Sequence, residues 1–260
     1  IQFNLFMSLN LRIIPRLDIR NNKLIKPYQF EGVREIGNPV KYAKKYFKDN
    51  ADEILIMDVV ASLYNRNNKI DMIKKISNEV FIPVIVGGGI RSLEDADQLF
   101  KSGADKIALN TATFEDPNLI KILSYKYGSQ SIVLSIEAKK NTNDNYWEAL
   151  NNNGRDHTGY EIVKWAKKNI KLGIGEILLT SVDRDGTRKG IDVDLVNYFT
   201  EKIHIPTIIS GGMRDLEDIK KVSSNLNING LSMGSILHFK KTKIKNIKKY
   251  ASKFGFNIRF

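Results

Sequence analysis

The sequence predicts an α/β fold, a (β/α)8 TIM barrel built from two duplicated half-barrels, and three observations lead there. First, the chain repeats itself 123 positions on. Lys41-Tyr42-Ala43-Lys44-Lys45 returns as Lys164-Trp165-Ala166-Lys167-Lys168, and Glu53-Ile54-Leu55 returns as Glu176-Ile177-Leu178. Pro83, Gly88, Gly89, Arg91, Leu93, Glu94 and Asp95 return as Pro206, Gly211, Gly212, Arg214, Leu216, Glu217 and Asp218. Solenoid units run to about 20–50 residues, so a repeat of this length is half a domain. Second, apolar runs alternate with amphipathic stretches at strand-plus-helix spacing, the pattern of βα units around a parallel sheet. Third, 260 residues suit a single barrel of about 250. One domain over residues 1–260 is therefore expected. Residues 1–10 form its lead, read either as sequence upstream of a natural start at Met7 or as a short disordered segment.

Eight strands are expected at 12–18, 53–58, 83–87, 105–110, 132–137, 176–181, 206–210 and 230–234. Runs such as Ile54-Leu55-Ile56-Met57 and Ile132-Val133-Leu134 suit burial on both faces, as parallel strands require. Ser92-Leu93-Glu94-Asp95 and Asp215-Leu216-Glu217-Asp218 read as helix starts, with a cap residue and early acids at the positive end of the dipole. Asp116-Pro117 puts a proline at a first helical turn. Two longer loops follow strands 1 and 5, at about 19–37 and 138–158. The second carries the polar tract Asn141-Thr142-Asn143-Asp144-Asn145. Both would lie on the carboxyl face, where barrel enzymes place their chemistry.

Composition narrows the function classes. There is no cysteine, which excludes disulfides, thiolate metal sites and a cysteine nucleophile. No apolar run approaches the roughly 18 residues of a membrane span, and the start lacks the basic segment of a signal peptide. A cytoplasmic protein is the plain reading. The formal net charge of +12 raises nucleic-acid binding, but the lysines are spread over helix faces, and attraction of an anionic substrate is the better use of the charge. His157, His204 and His238 form no cluster, so no metal and no cofactor is expected.

Glycines mark two candidate anion sites. Gly87-Gly88-Gly89 ends strand 3 and Gly211-Gly212 ends strand 7, where glycine lets backbone N–H groups approach an anion at a helix start. Tight turns alone would also explain such glycines. The neighbouring strands add weight, because strand 4 ends in Asn110-Thr111-Ala112 and strand 8 in Gly234-Ser235. Strands 7 and 8 are the usual phosphate grip of this fold, and the duplication implies a second grip at strands 3 and 4. Two grips across one mouth describe a long substrate with a phosphate at each end. Asp18 ends strand 1 and Glu137 ends strand 5, so the repeat makes them facing counterparts. Two such acids could divide general-acid and general-base work if their environments separate their pKa values. They could equally cap loops or pair with nearby lysines. Asp58, Asp183 and Asp185 add acid to the same rim, although Asp185-Gly186 could simply make a turn.

These stretches resemble the cyclase-subunit family of imidazole glycerol phosphate synthase. The resemblance runs from about Leu11 to Arg259. It is carried by Arg12-Ile13-Ile14-Pro15 through Asp18, Ala51-Asp52-Glu53 through Asp58, Val86 to Arg91, Gly103-Ala104-Asp105-Lys106, Asn110-Thr111-Ala112, Gly128-Ser129-Gln130, and Gly175 through Thr187. It implies an enzyme, a lyase-type cyclase of histidine biosynthesis, acting on a bis-phosphorylated ribulosyl-formimino aminoimidazole carboxamide nucleotide. Ammonia attacks, the imidazole ring closes, and an aminoimidazole carboxamide ribotide leaves. By the same resemblance Asp18 and Glu137 are catalytic, and Lys26 closes over the substrate from the first loop. Gly89, Asn110 and Thr111 hold one phosphate; Gly186, Gly212, Gly234 and Ser235 hold the other. Asp58, Thr180 and Asp185 line the site. A glutaminase partner at the amino-terminal face supplies ammonia through a charged gate of Arg12, Glu53, Lys106 and Glu176.

Two departures stand out. The family's second catalytic aspartate is Glu137 here, and a cysteine before the first is Arg16. One extra methylene moves a carboxylate by roughly 1 Å, and misplacement on that scale can lower a rate about 100-fold. Asn153 is a further difference. Such variants resemble a paralogous branch associated with surface-polysaccharide gene sets. There the cyclase-like chain conducts ammonia to a sugar amidotransferase with little or no cyclase activity, and this is the alternative reading.

Overall fold

The computed structural model describes residues 10–59, 70–141, 146–223 and 228–260, apart from the side chain of Val33. The expected lead at residues 1–9 and most of the polar tract, 142–145, lie outside the described residues. Among the described residues twelve strands form: β1 (Arg12–Arg20), β2 (Lys23–Tyr28), β3 (Glu31–Gly37), β4 (Ile54–Asp58), β5 (Val84–Gly87), β6 (Lys106–Leu109), β7 (Ile132–Asn141), β8 (Tyr146–Asn151), β9 (Asp156–Glu161), β10 (Glu176–Ser181), β11 (Thr207–Ser210) and β12 (Gly230–Met233). Eight of them, β1, β4, β5, β6, β7, β10, β11 and β12, pair in parallel in that order. The pairing of β12 with β1 closes the ring. These are the eight strands expected, within a few residues at each end.

Alternation along the strands assigns every side chain to a layer. Ile13, Ile54 and Ile56 point outward into the core shared with the helices. Ile14, Leu55, Ile85, Ala108, Val133, Leu178 and Ile208 point inward and fill the barrel with a single apolar layer. Two residues below this layer on the same strands come Arg12, Glu53 and Glu176. Two residues above come Arg16, Ser135, Thr180 and Ser210. The core is thus dry in the middle and charged or polar at both ends.

The duplicated segments fold alike. Ser92 caps the helix Leu93–Lys101 with a capping box to Asp95, whose Oδ2 also accepts the Arg91 N–H at 2.8 Å. In the second half, Asp218 Oδ2 accepts the Arg214 N–H at 2.7 Å, the same bond 123 positions on. The helix there is shorter, Glu217–Val222, and no side chain caps it. Pro117 precedes the helix Asn118–Tyr127 as the sequence suggests.

The two long loops are not loops. β1 runs past the barrel and turns back through β2 and β3, and β7 does the same through β8 and β9. Asn21 and Asn22 both adopt positive φ (49° and 61°) in a two-residue turn between β1 and β2, the hairpin geometry asparagine tolerates. These strands were hidden in the sequence because β2 and β8 are short and buried on both faces, while β9 and most of β3 are exposed, so none shows the alternation of a half-buried strand. The hairpins meet over the carboxyl mouth, where Phe30 packs with Leu150 and Val182. A Cβ on Gly154 would sit 3.3 Å from the Phe30 ring.

One buried ion pair closes the amino-terminal side. Lys248 is 1% exposed, and its ammonium donates to Asp52 Oδ1 and to the Arg259 carbonyl, both at 2.7 Å. Asp52 Oδ2 in turn accepts the Ile13 N–H at 2.8 Å, tying the C-terminal helix to β1. Asp52→Ala leaves the Lys248 charge buried with only a carbonyl. It should lower unfolding stability by about 3 kcal/mol, read as a drop in the urea midpoint.

Candidate active site

The carboxyl mouth holds two cavities rather than one. The first is lined by Asp58, Gly88, Gly89, Asn110, Thr111 and Glu137, among others. The second is lined by Lys26, Asp185, Gly186, Gly212, Gly234 and Ser235, together with Arg16 and Arg188. The glycine-ended strands β5 and β11 lie four strands apart either way round the ring, so the cavities face each other across the axis.

Close backbone approach explains the glycines. At Gly88 (φ 92°) a Cβ would sit 2.2 Å from the Asp58 carbonyl oxygen. At its counterpart Gly211 (φ 98°) a Cβ would sit 2.9 Å from the Ser181 carbonyl oxygen. Each glycine leans on the end of the preceding strand and turns the chain so that the following residue lines a cavity. Asn110 lines the first cavity, and its amide is anchored to the neighbouring strands. Its Nδ2 donates to the carbonyls of Ser135 (3.0 Å) and Leu150 (3.1 Å), fastening β6 to β7 and β8.

Between the cavities stands a charged cluster. Asp18 is 0% exposed and lines neither cavity. Arg16 Nε donates to Asp18 Oδ1 at 2.7 Å, and Lys26 Nζ donates to Asp18 Oδ2 at 2.9 Å. Lys26 also holds both oxygens of Asp185, at 3.2 and 3.0 Å. Lys26 was expected on a loop; it sits on strand β2, buried, because the hairpin folds it back over β1. Arg16 reaches across the barrel, with Nη1 donating to Thr180 Oγ1 (3.2 Å) and Ser210 Oγ (3.4 Å). Thr180 lies below the guanidinium and lines neither cavity. Burial alone would raise the Asp18 carboxyl, but Arg16 and Lys26 hold it well below the usual carboxylate range.

Glu137 is the opposite case. It ends the inward face of β7, four strands from β1 in either direction, and is 3% exposed. Burial pushes its carboxyl up to about 7, against the pull of Arg16 and a hydrogen bond from the Gly154 backbone. Its Oε2 is buried with no hydrogen-bond partner among the described residues. The two facing acids therefore have separated environments, one fixed as an anion and one poised near neutrality.

His238 supports the cluster through the β1 backbone. Its Nε2 lies 3.1 Å from the Arg16 carbonyl and its Nδ1 2.6 Å from the Tyr46 hydroxyl. The carbonyl can only accept, so Nε2 carries the proton and the tyrosine donates to Nδ1. Burial, helped by Lys26, lowers this imidazole to about 4, so it is neutral at pH 7.

At the other end of the axis, Arg12, Glu53, Lys106 and Glu176 close a ring. Arg12 bonds Glu53 (2.8 Å) and Glu176; Lys106 bonds Glu53 (3.2 Å) and Glu176 (2.8 Å). All four expected gate residues come together. Gly88, expected at an anion site, lines the first cavity, and Arg91 and Arg188 line the cavities without having been singled out as ligand contacts, although Arg91 belongs to the repeat that marks the site. Arg188 follows Gly186 by two residues, and only its loop geometry brings it to the cavity. Among the described residues no group of three or more His, Cys, Asp or Glu could hold a metal ion, and no helix is long and apolar enough to cross a membrane.

Comparison with known proteins bears on this geometry. Residues 12–243 match the family described as histidine biosynthesis protein. The chain is similar to the imidazole glycerol phosphate synthase subunit HisF of Legionella pneumophila, with 52% identity over 209 residues, 80% of this chain and 98% of that protein. It is 43% identical to the same subunit of Pyrobaculum aerophilum over 255 residues, 97% of this chain and all of that protein. For Streptococcus mutans the identity is 38% over 251 residues, 96% of this chain and all of that protein.

Proposed function

Since this chain belongs to the histidine biosynthesis protein family, we propose that it is the cyclase subunit of an imidazole glycerol phosphate synthase. The carrying observation is the pair of glycine-walled cavities facing each other across one barrel mouth, with Glu137 in one and the Asp18 cluster between them. Backbone around Gly88, Gly89 and Thr111 takes one phosphate of a ribulosyl-formimino aminoimidazole carboxamide nucleotide. Backbone around Gly186, Gly212, Gly234 and Ser235 takes the other, with Lys26 beside it. The carbon backbone of the substrate then spans the axis over Arg16 and Thr180. Ammonia attacks there, the ring closes, and the aminoimidazole carboxamide ribotide departs. Asp18 and Glu137 are the acid pair of the reaction.

The chain has no cysteine for thiol-based glutamine hydrolysis. Ammonia comes from a glutaminase subunit docked on the amino-terminal face, past the ring of Arg12, Glu53, Lys106 and Glu176. A second reading draws on the enclosure of Asp18 by Arg16 and Lys26: ammonia passes through to amidation of a sugar, with little cyclase chemistry.

A turnover assay with the ribulosyl substrate and excess ammonium tests both. Turnover by the parent, reduced at least about 100-fold by Asp18→Asn, is the expected result. A parent that binds a glutaminase subunit yet shows no turnover would overturn the cyclase reading in favour of the second.

A further inference from the structure

The acid pair contains a third charged member that the reaction as proposed does not use. Arg16 is 3% exposed, stands on the same strand as Asp18 and projects across the mouth toward β10 and β11. We propose that Arg16 is a positioning residue: by pairing with Asp18 opposite Glu137, it keeps Asp18 a permanent anion and leaves proton exchange with the bound substrate to Glu137. The inference rests on the cyclase reading for the identity of the substrate, but its geometry stands without it.

Several features support this division. Two cations touch Asp18, one on each carboxylate oxygen, at 2.7 and 2.9 Å. A carboxylate so held, and exposed to no cavity, has no free edge from which to take a proton. Glu137 has the opposite arrangement: it lines a cavity, and one of its oxygens is buried without a partner among the described residues. The groups facing this pair are Arg16 from β1, Lys26 from β2, Asp58 at the end of β4, and Asp185 beyond β10. Thr180, Ser210 and the Gly154 N–H are neutral neighbours, and His238, held to the Arg16 carbonyl, is neutral at pH 7. Arg16 pulls the Glu137 carboxyl down, while Asp185 and Asp18 push it up. Arg16 therefore balances the field at Glu137 as well as fixing Asp18.

One carboxyl can carry the proton traffic. The ammonia nitrogen ends bonded to both the ribulosyl carbonyl carbon and the formimino carbon; the carbonyl oxygen leaves as water, and the formimino carbon's bond to the ribotide nitrogen breaks. The three ammonia protons and one from the methylene beside the carbonyl end as two on water and two on the departing amine. Glu137, ionised, accepts protons and, neutral, returns them, so none is gained or lost overall, and Asp18 stabilises the positive charge that develops on nitrogen without changing state.

The test is a pH titration of the Glu side-chain carboxyls by 13C NMR on the full chain, with Glu137 assigned through Glu137→Gln. In the parent, Glu137 should titrate near 7. In Arg16→Met its midpoint should rise by about one pH unit, a tenfold change in proton affinity, and Arg16→Lys should restore it. A filler of space would alter the melting temperature and leave that midpoint in place. Should Arg16→Met fail to fold, Asp18→Asn probes the same balance: Arg16 then acts on Glu137 uncompensated, and the midpoint should fall. An unmoved midpoint in a folded Arg16→Met, or a rise in Asp18→Asn, overturns the proposal. The readout needs no turnover, so a parent without cyclase activity would count against the cyclase reading alone.

Discussion

Replacing Glu137 with glutamine is expected to lower cyclase turnover with excess ammonium by about 10²–10⁴-fold, the range for loss of a positioned acid/base group. The fold should survive, because glutamine matches glutamate in shape and the buried Oε2 has no hydrogen-bond partner to lose among the described residues. The same substitution carries a stability signature of known sign. The Glu137 carboxyl stands at about 7 in the folded chain, against an ordinary value of 4.5. Between those values the folded chain holds a proton that the unfolded chain has released. This contribution is therefore fully present below about pH 4.5 and is lost as pH rises through about 7, on the order of 3 kcal/mol in all. Glu137→Gln should flatten that decline. Urea midpoints at pH 5 and pH 8, for parent and variant, check it. A variant with the parent's slope would mean that Glu137 ionises normally in the fold.

The second large effect is expected at Gly88. In Gly88→Ala the new Cβ meets the Asp58 carbonyl oxygen at 2.2 Å, with the Asp58 carbon and nitrogen at 2.9 and 3.0 Å. All three are backbone atoms of a barrel strand, so neither side can yield cheaply, and φ of 92° adds strain for any side chain. A loss of about 3–4 kcal/mol in unfolding free energy is expected, with the first cavity deformed and substrate affinity lowered with it. The counterpart Gly211→Ala meets its nearest backbone atom, the Ser181 carbonyl oxygen, at 2.9 Å and should lose less. Equal losses at the two positions would show that local strain, rather than the close approach, sets the size of the effect.

The sequence made the barrel readable because duplication writes each constraint twice. Gly88 and Gly211 lean on equivalent carbonyls, and Asp95 and Asp218 accept equivalent N–H groups, so a single register exposed strands, turns and helix starts together. Only the glycine-marked walls of the two cavities were equally plain. The hairpins were not, because β2 and β8 are short and buried on both faces while β9 and most of β3 are exposed, so none of them alternates. That gap also hid the state of Asp18. Lys26 reaches it only because the first hairpin doubles back, and Arg16 reaches Thr180 and Ser210, more than 160 positions away, only because the ring closes. Local spacing could propose an acid pair; only the closed ring separates the two acids into a fixed anion and a titrating one.

The ring of Arg12, Glu53, Lys106 and Glu176 has redundancy built into it. Each cation holds both acids and each acid holds both cations, so breaking any one contact leaves a continuous three-link chain across the amino-terminal mouth. A single bond that stretches cannot unfasten it; a whole side chain has to swing away and give up both of its contacts at once, and the three residues that stay remain joined through two. Opening this face therefore answers to a threshold, and small fluctuations leave the ring closed.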